Sequence, residues 1–99
     1  LSDRMASAVV RAGVALRELR IHLCQKSPAS AGVRAFIEKN YVPLKKANPE
    51  LPILVRECSG ISPRVFARYE FGVERQVALD DLSAERVASV VQDLAARTL

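Results

Sequence analysis

The sequence predicts an α/β domain with a four-stranded mixed sheet. The chain order is strand, helix, strand, strand, strand, helix, with the helices mainly on one face. Four short segments alternate apolar and polar residues with period two. Two longer segments repeat apolar residues at helical spacing. The chain is 99 residues long, which makes one small domain. Surface scaling implies that roughly 65% of the unfolded chain's surface is buried on folding, enough for one modest core.

The first strand is expected over Leu16–Cys24, where Leu19, Ile21 and Leu23 alternate with Glu18, Arg20 and His22. Ser27-Pro28 and Ser30 follow as turn and cap residues, either of which can open a helix. Val33, Phe36, Ile37, Tyr41 and Leu44 give that helix its apolar stripe. Pro43 cannot donate to the Lys39 carbonyl and crowds it, so a kink or a stop near Asn40 is expected. Pro52–Cys58 reads as a second strand on a sheet edge, with the leading proline at a tolerated position. Ile53, Val55 and Glu57 share one of its faces, and Leu54, Arg56 and Cys58 share the other. Arg64–Phe71 is the third strand and Arg75–Asp80 the fourth, joined through Gly72. Ser83 caps the last helix, and Leu82 and Val87 are spaced as a hydrophobic staple. Strand one, helix and strand two form a right-handed crossover between parallel neighbours, and strands three and four form a hairpin. Two helices cover one face of four strands, so the other face stays open.

Composition narrows the chemistry. The chain is 49% hydrophobic and 26% charged, with 15 Lys+Arg against 11 Asp+Glu and a net charge of +4. Neither disorder nor a membrane span fits such a chain. The cations are scattered, with Lys45-Lys46 as the only adjacent pair, and five aromatics do not interleave with them. That pattern suits a solvated surface facing an acidic partner better than a nucleic-acid reader. Residues 1–15 are rich in Ala, Val and Ser and carry one acid, Asp3. The chain opens on Leu1 rather than Met. This segment is expected to be a flexible terminus or the remnant of an organellar import leader, with the folded domain over 16–99.

Side-chain parity then locates the candidate sites. If Leu19, Ile21 and Leu23 face the helices, then Arg20, His22 and Cys24 face away. If Ile53 and Val55 face inward, then Leu54, Arg56 and Cys58 face out. Both cysteines therefore fall on the open side, at the C-terminal ends of parallel neighbours. Adjacent strands are about 4.8 Å apart, within the Cα separation a disulfide accepts, so the pair is within bonding reach although 33 residues separate them. A bond there would contribute roughly 3–4 kcal/mol in the chain-entropy model. Two independent thiols in a reducing compartment are the alternative. His22, Cys24 and Cys58 are three possible metal ligands without a fourth at a recognisable spacing, so no metal is assigned. Cys24-Gln25-Lys26-Ser27 has the form C-x-x-S and lacks the resolving cysteine of a dithiol exchange enzyme. Pro63, at the entry to strand three, is a candidate cis proline. No phosphate loop, nucleophile triad or paired carboxylates occur, so no catalytic residue is assigned.

The segments LRELRIHLCQKSPAS, GVRAFIEKNYVPLKKANPELPILVREC, ARYEFG and LSAERV resemble the thioredoxin-like accessory subunits of mitochondrial complex I, of the alpha-subcomplex subunit 2 type. The likeness runs from about Leu16 to about Leu94, with KKANPELPILVREC its most specific stretch. Pro43 departs from the family pattern, where an acidic residue is usual. The resemblance implies a thioredoxin-like fold and a non-catalytic subunit without a cofactor of its own. It implies docking on the matrix arm near the NADH-oxidising module and its large iron–sulfur subunit, at the matrix side of the inner membrane. Cys24 and Cys58 match the family's two cysteines, which can form a disulfide. Mitochondrial ribosomal proteins of similar fold are the runner-up, and a monothiol redox protein using Cys24 is a third reading. The open face, with Leu54 and Phe66 set among Arg20, Arg56 and Arg68, is apolar enough to bury and charged enough to orient a partner.

Overall fold

A computed structural model describes residues 15–96. The expected leader over 1–15 lies outside the described residues, apart from Ala15, which is buried against the domain.

The longest alternating segment becomes an inner strand of the sheet. β1 (Leu16–Leu23) pairs in parallel with β2 (Ile53–Glu57) and antiparallel with β3 (Arg64–Tyr69), which pairs antiparallel with β4 (Glu74–Ala78). The sheet order is β2-β1-β3-β4. The two helices are α1 (Ala31–Ala47) and α2 (Ala84–Ala96). Leu19, Ile21, Leu23, Ile53, Val65, Ala67 and Tyr69 from the sheet meet Val33, Phe36 and Leu44 of α1 and Val87, Val91 and Leu94 of α2 in one core. Hydrophobic burial at these positions supplies most of the favourable folding term.

Both serine readings at the start of α1 are partly realised. Ser27 Oγ accepts from Ala29 N at 3.1 Å and caps a single 3-10 turn, Pro28–Ser30, from which α1 continues. Ser30 makes no cap bond to the helix. Its hydroxyl is buried and accepts from Cys24 N at 3.1 Å, tying the end of β1 to the start of α1. Ser83 caps α2 by accepting from Arg86 N at 3.2 Å.

The structure corrects four expectations. α1 runs through Pro43 instead of stopping near Asn40. Lys39 and Pro43 are both exposed, so the carbonyl that loses its donor is on the hydrated side. Buried Leu44 and the Asn48 N–H, 3.1 Å from Leu44 O, hold the turn beyond it. Val55, expected inward, is 36% exposed because β2 is a sheet edge and the helical layer leaves it uncovered. The Ser62–Pro63 bond is trans, as is every other described peptide bond. The chain reverses earlier, at Gly60 (φ 82°), so Pro63 enters the core already extended, with its carbonyl accepting from Leu79 N at 2.9 Å.

The fourth difference is at the β3–β4 turn. β3 ends at Tyr69, and Glu70–Gly72 form a 3-10 turn with Phe71 at φ 64° and 93% exposed. Tyr69 N donates to Val73 O at 2.7 Å and Glu70 N to Ala15 O at 2.9 Å, so the base of the turn is fixed. A bulky L-residue in the left-handed region is strained by about 1–2 kcal/mol. Phe71→Asn is therefore expected to raise stability by about 1 kcal/mol, read as a higher midpoint in urea unfolding.

Candidate functional site

The open face of the sheet carries three rows of side chains set by the strand register. Leu54, Arg20, Phe66 and Gln76 form one row. Arg56, His22, Arg64 and Ala78 form the next, towards the C-terminal end of β1. Glu18, Arg68 and Glu74 form the third, towards its N-terminal end. Arg20, Leu54, Arg56, Phe66 and Arg68, the five residues assigned to this face from parity, do lie together on it.

Phe66 is the half-buried centre. The Arg20 guanidinium carbon lies 5.0 Å from its ring centroid and the His22 ring 4.8 Å away, tilted by 52°. Arg20 also pairs with Glu74 and lies 3.8 Å from Glu18, and Arg68 pairs with Glu18 at 3.1 Å. Exposed pairs of this kind add at most about 1 kcal/mol each, so their main effect is to hold the arginines in place. Parity had already placed His22 on this face, as a histidine of the open sheet, but sequence reasoning missed Glu18, Arg64 and Glu74. Parity continued along each strand would have found all three.

Burial against Phe66 lowers the pKa of His22 from its ordinary 6.5, and Arg20, Arg56 and Arg64 lower it further. These are the charged groups facing it from β1, β2 and β3. The unfolded chain then binds a proton at a higher pH than the folded one. The histidine's contribution to stability is complete above pH 6.5 and falls as pH drops through the depressed folded value. His22→Gln is expected to flatten this part of the stability–pH curve, measured by urea unfolding at stepped pH.

The two cysteines occupy unlike environments. Parity places both on the open side, yet Cys24 is 4% exposed and Cys58 is exposed. The loop that turns at Gly60 folds over Cys24, and Gly60 N donates to Cys24 Sγ at 3.3 Å. The backbone amides of Gly60, Lys26 and Ser27 pull the Cys24 thiol below its ordinary range; burial opposes them, and Arg34 adds a smaller lowering. Arg34 Nη1 also donates to the carbonyls of Cys24 and Ser27, at 2.9 Å each. Both thiols are free. They stand one step beyond the last register pair, Leu23 with Glu57, and Cys58 N donates to Leu23 O at 3.0 Å. Among the described residues, no three His, Cys, Asp or Glu side chains converge to hold a metal ion.

Residues 33–84 match the family model described as "Mitochondrial ribosomal protein L51 / S25 / CI-B8 domain". The match covers the helix, the edge strand, the hairpin and the cap of α2. The chain is 55% identical to mouse NADH dehydrogenase (ubiquinone) 1 alpha subcomplex subunit 2, over 90% of each chain. It is 56% identical to the Arabidopsis thaliana protein of the same name, over 80% of this chain and 81% of that one. It is also 29% identical to mouse large ribosomal subunit protein mL43, over 95% of this chain but 54% of that protein. With identity this high along nearly the full length of both chains, the protein belongs to the NADH dehydrogenase (ubiquinone) 1 alpha subcomplex subunit 2 family.

Proposed function

We propose that the protein is a non-catalytic accessory subunit of mitochondrial complex I, with a thioredoxin-like fold and no cofactor of its own. It docks on the matrix arm near the NADH-oxidising module, against the large iron–sulfur subunit, at the matrix side of the inner membrane. It supports assembly or stability of that arm through the open sheet face of Arg20, Leu54, Arg56, Phe66 and Arg68. The observation that supports this most is the conjunction of family membership with a face on which Arg20 and Arg68 are held in place around the aromatic centre Phe66. Preorganised charge around an apolar core orients a partner and lowers the ordering cost of binding. The test is fractionation of mitochondria carrying the tagged full chain. The reading expects co-migration with complex I on native gels. Co-migration with the large ribosomal subunit would replace it with the ribosomal reading, which the likeness to mL43 supports.

Cys24 and Cys58 are proposed as a disulfide or redox-switch pair, supported by their adjacency at the ends of parallel neighbours. Closing the bond removes two protons and two electrons, which a disulfide-carrying oxidant such as oxidised glutathione accepts. Thiol trapping in intact mitochondria, with and without such an oxidant, tests this. An oxidant-dependent loss of two labelled thiols supports the pair, and an unchanged count overturns it. The lowered pKa of Cys24 fits a monothiol redox protein, but its burial opposes access. Glutathione-dependent turnover lost in Cys24→Ser would favour that reading.

A further inference from the structure

Charge is unevenly distributed over the open face. Towards the N-terminal end of β1, Glu18 and Glu74 neutralise Arg20 and Arg68. Towards the other end, His22 stands between its register partners Arg56 and Arg64. With strands about 4.8 Å apart, these three side chains span roughly 10 Å. Arg64 Nη1 donates to the neutral Gln76 Oε1 at 2.8 Å. Among the described residues, neither Arg56 nor Arg64 has an acidic partner. Arg56 on β2 and Arg64 on β3 flank β1, so two like charges face each other across His22 with no carboxylate between them. Leu54 lies on the same face at the sheet edge, two residues before Arg56, and is 45% exposed.

We propose that the Arg56–His22–Arg64 row receives an acidic segment of a protein partner, whose carboxylates bind the two guanidinium groups while an apolar side chain covers Leu54. This rests on the open face being the docking surface and names the chemistry it recognises. A guanidinium fork donates two parallel N–H bonds to a carboxylate in a bidentate, charge-assisted pair. A nucleic-acid backbone fits less well. The cationic stretch is short, Glu18 and Glu74 would repel phosphates that continue across the sheet, and Phe66 is covered by Arg20 and His22 and is not free to stack on a base. A bound carboxylate would also offset the repulsion that disfavours a proton on His22.

The test uses the tagged full chain in mitochondria. The double variant R56E/R64E is expected to lower recovery in the native assembly at least tenfold, whereas R56K/R64K, which keeps the charge and loses the bidentate fork, falls by less than tenfold and still assembles. Matched thermal unfolding of the purified variants separates lost docking from lost folding. The R56K/R64K assembly is then treated with a carbodiimide, which joins an amine to a carboxylate in contact with it. Adducts from positions 56 or 64 to an Asp or Glu of another protein support the proposal. Two results overturn it: no adduct at either position in an intact assembly, or normal assembly of R56E/R64E. A photo-crosslinker at Phe66 distinguishes the two levels. If Phe66 captures a partner while the carboxylate arm fails, the acidic-segment proposal alone falls. If Phe66 captures nothing in an intact assembly, the docking-face reading falls with it.

Discussion

Gly32→Ala is expected to destabilise the protein by at least about 3 kcal/mol, although alanine is the better helix former. Gly32 lies in the first turn of α1, where its backbone packs directly on the segment that leads into α2. A Cβ built there falls 1.8 Å from Leu82 O, 2.9 Å from Leu82 C and 3.0 Å from Ser83 C. All three are backbone atoms, so no side chain can rotate away. Asp81, at φ 61°, donates its N–H to Ala29 O at 3.0 Å, which fixes that backbone against the start of α1. The helix-propensity gain of about 1 kcal/mol is smaller than the cost of separating two packed elements, which is in the upper range for overpacking. For a domain of this size the loss corresponds to a fall in Tm of roughly 12–24 °C. Thermal unfolding followed by far-UV circular dichroism checks it, and an unchanged Tm would mean that the helix and loop are not in contact.

Truncating Tyr69 should have the second large effect. Tyr69 is fully buried at the end of β3, and its hydroxyl donates to Leu94 O in α2 at 2.5 Å. The ring packs in the core while its polar tip bonds the last turns of a helix. Tyr69→Ala removes both and leaves a cavity, so a loss of about 3–5 kcal/mol is expected. Tyr69→Phe keeps the packing and removes the donor, for an expected loss of about 1–3 kcal/mol. Urea unfolding of both variants separates the two contributions. Equal losses would place most of the effect in the hydrogen bond and contradict the packing account.

The elements that were legible in the sequence are those set by local pattern. Alternation along Leu19–Leu23 and Val65–Tyr69 marks strands because one face of each is buried. The capped start at Ser83 marks α2 because its first turn needs an acceptor for an otherwise unpaired N–H. Where the reading departed from the structure, tertiary context prevailed. Pro43 is tolerated because its side of α1 is solvated. Val55 follows the inward parity of Ile53 and is still exposed, because the position of β2 at the edge cannot be read from β2 itself. The αL conformation of Phe71 has no local signal other than the Gly72 beside it. Cys24 was assigned to the correct strand end, but the Gly60 turn that covers it lies 36 residues away in sequence. The open face was legible because period two fixes which residues share a side. Its division into a neutral end and a cationic end required the register of four strands.

We propose that the open sheet face seats this protein on the matrix arm of complex I. It is tested most directly by placing a photo-crosslinking residue at Phe66 on that face and, separately, at Ser89 on the exposed side of α2, in the tagged full chain expressed in mitochondria. The account predicts that Phe66 captures a matrix-arm subunit in the complex I fraction and that Ser89 captures none. Capture from Ser89 alone, or capture of a ribosomal protein from Phe66, would contradict it.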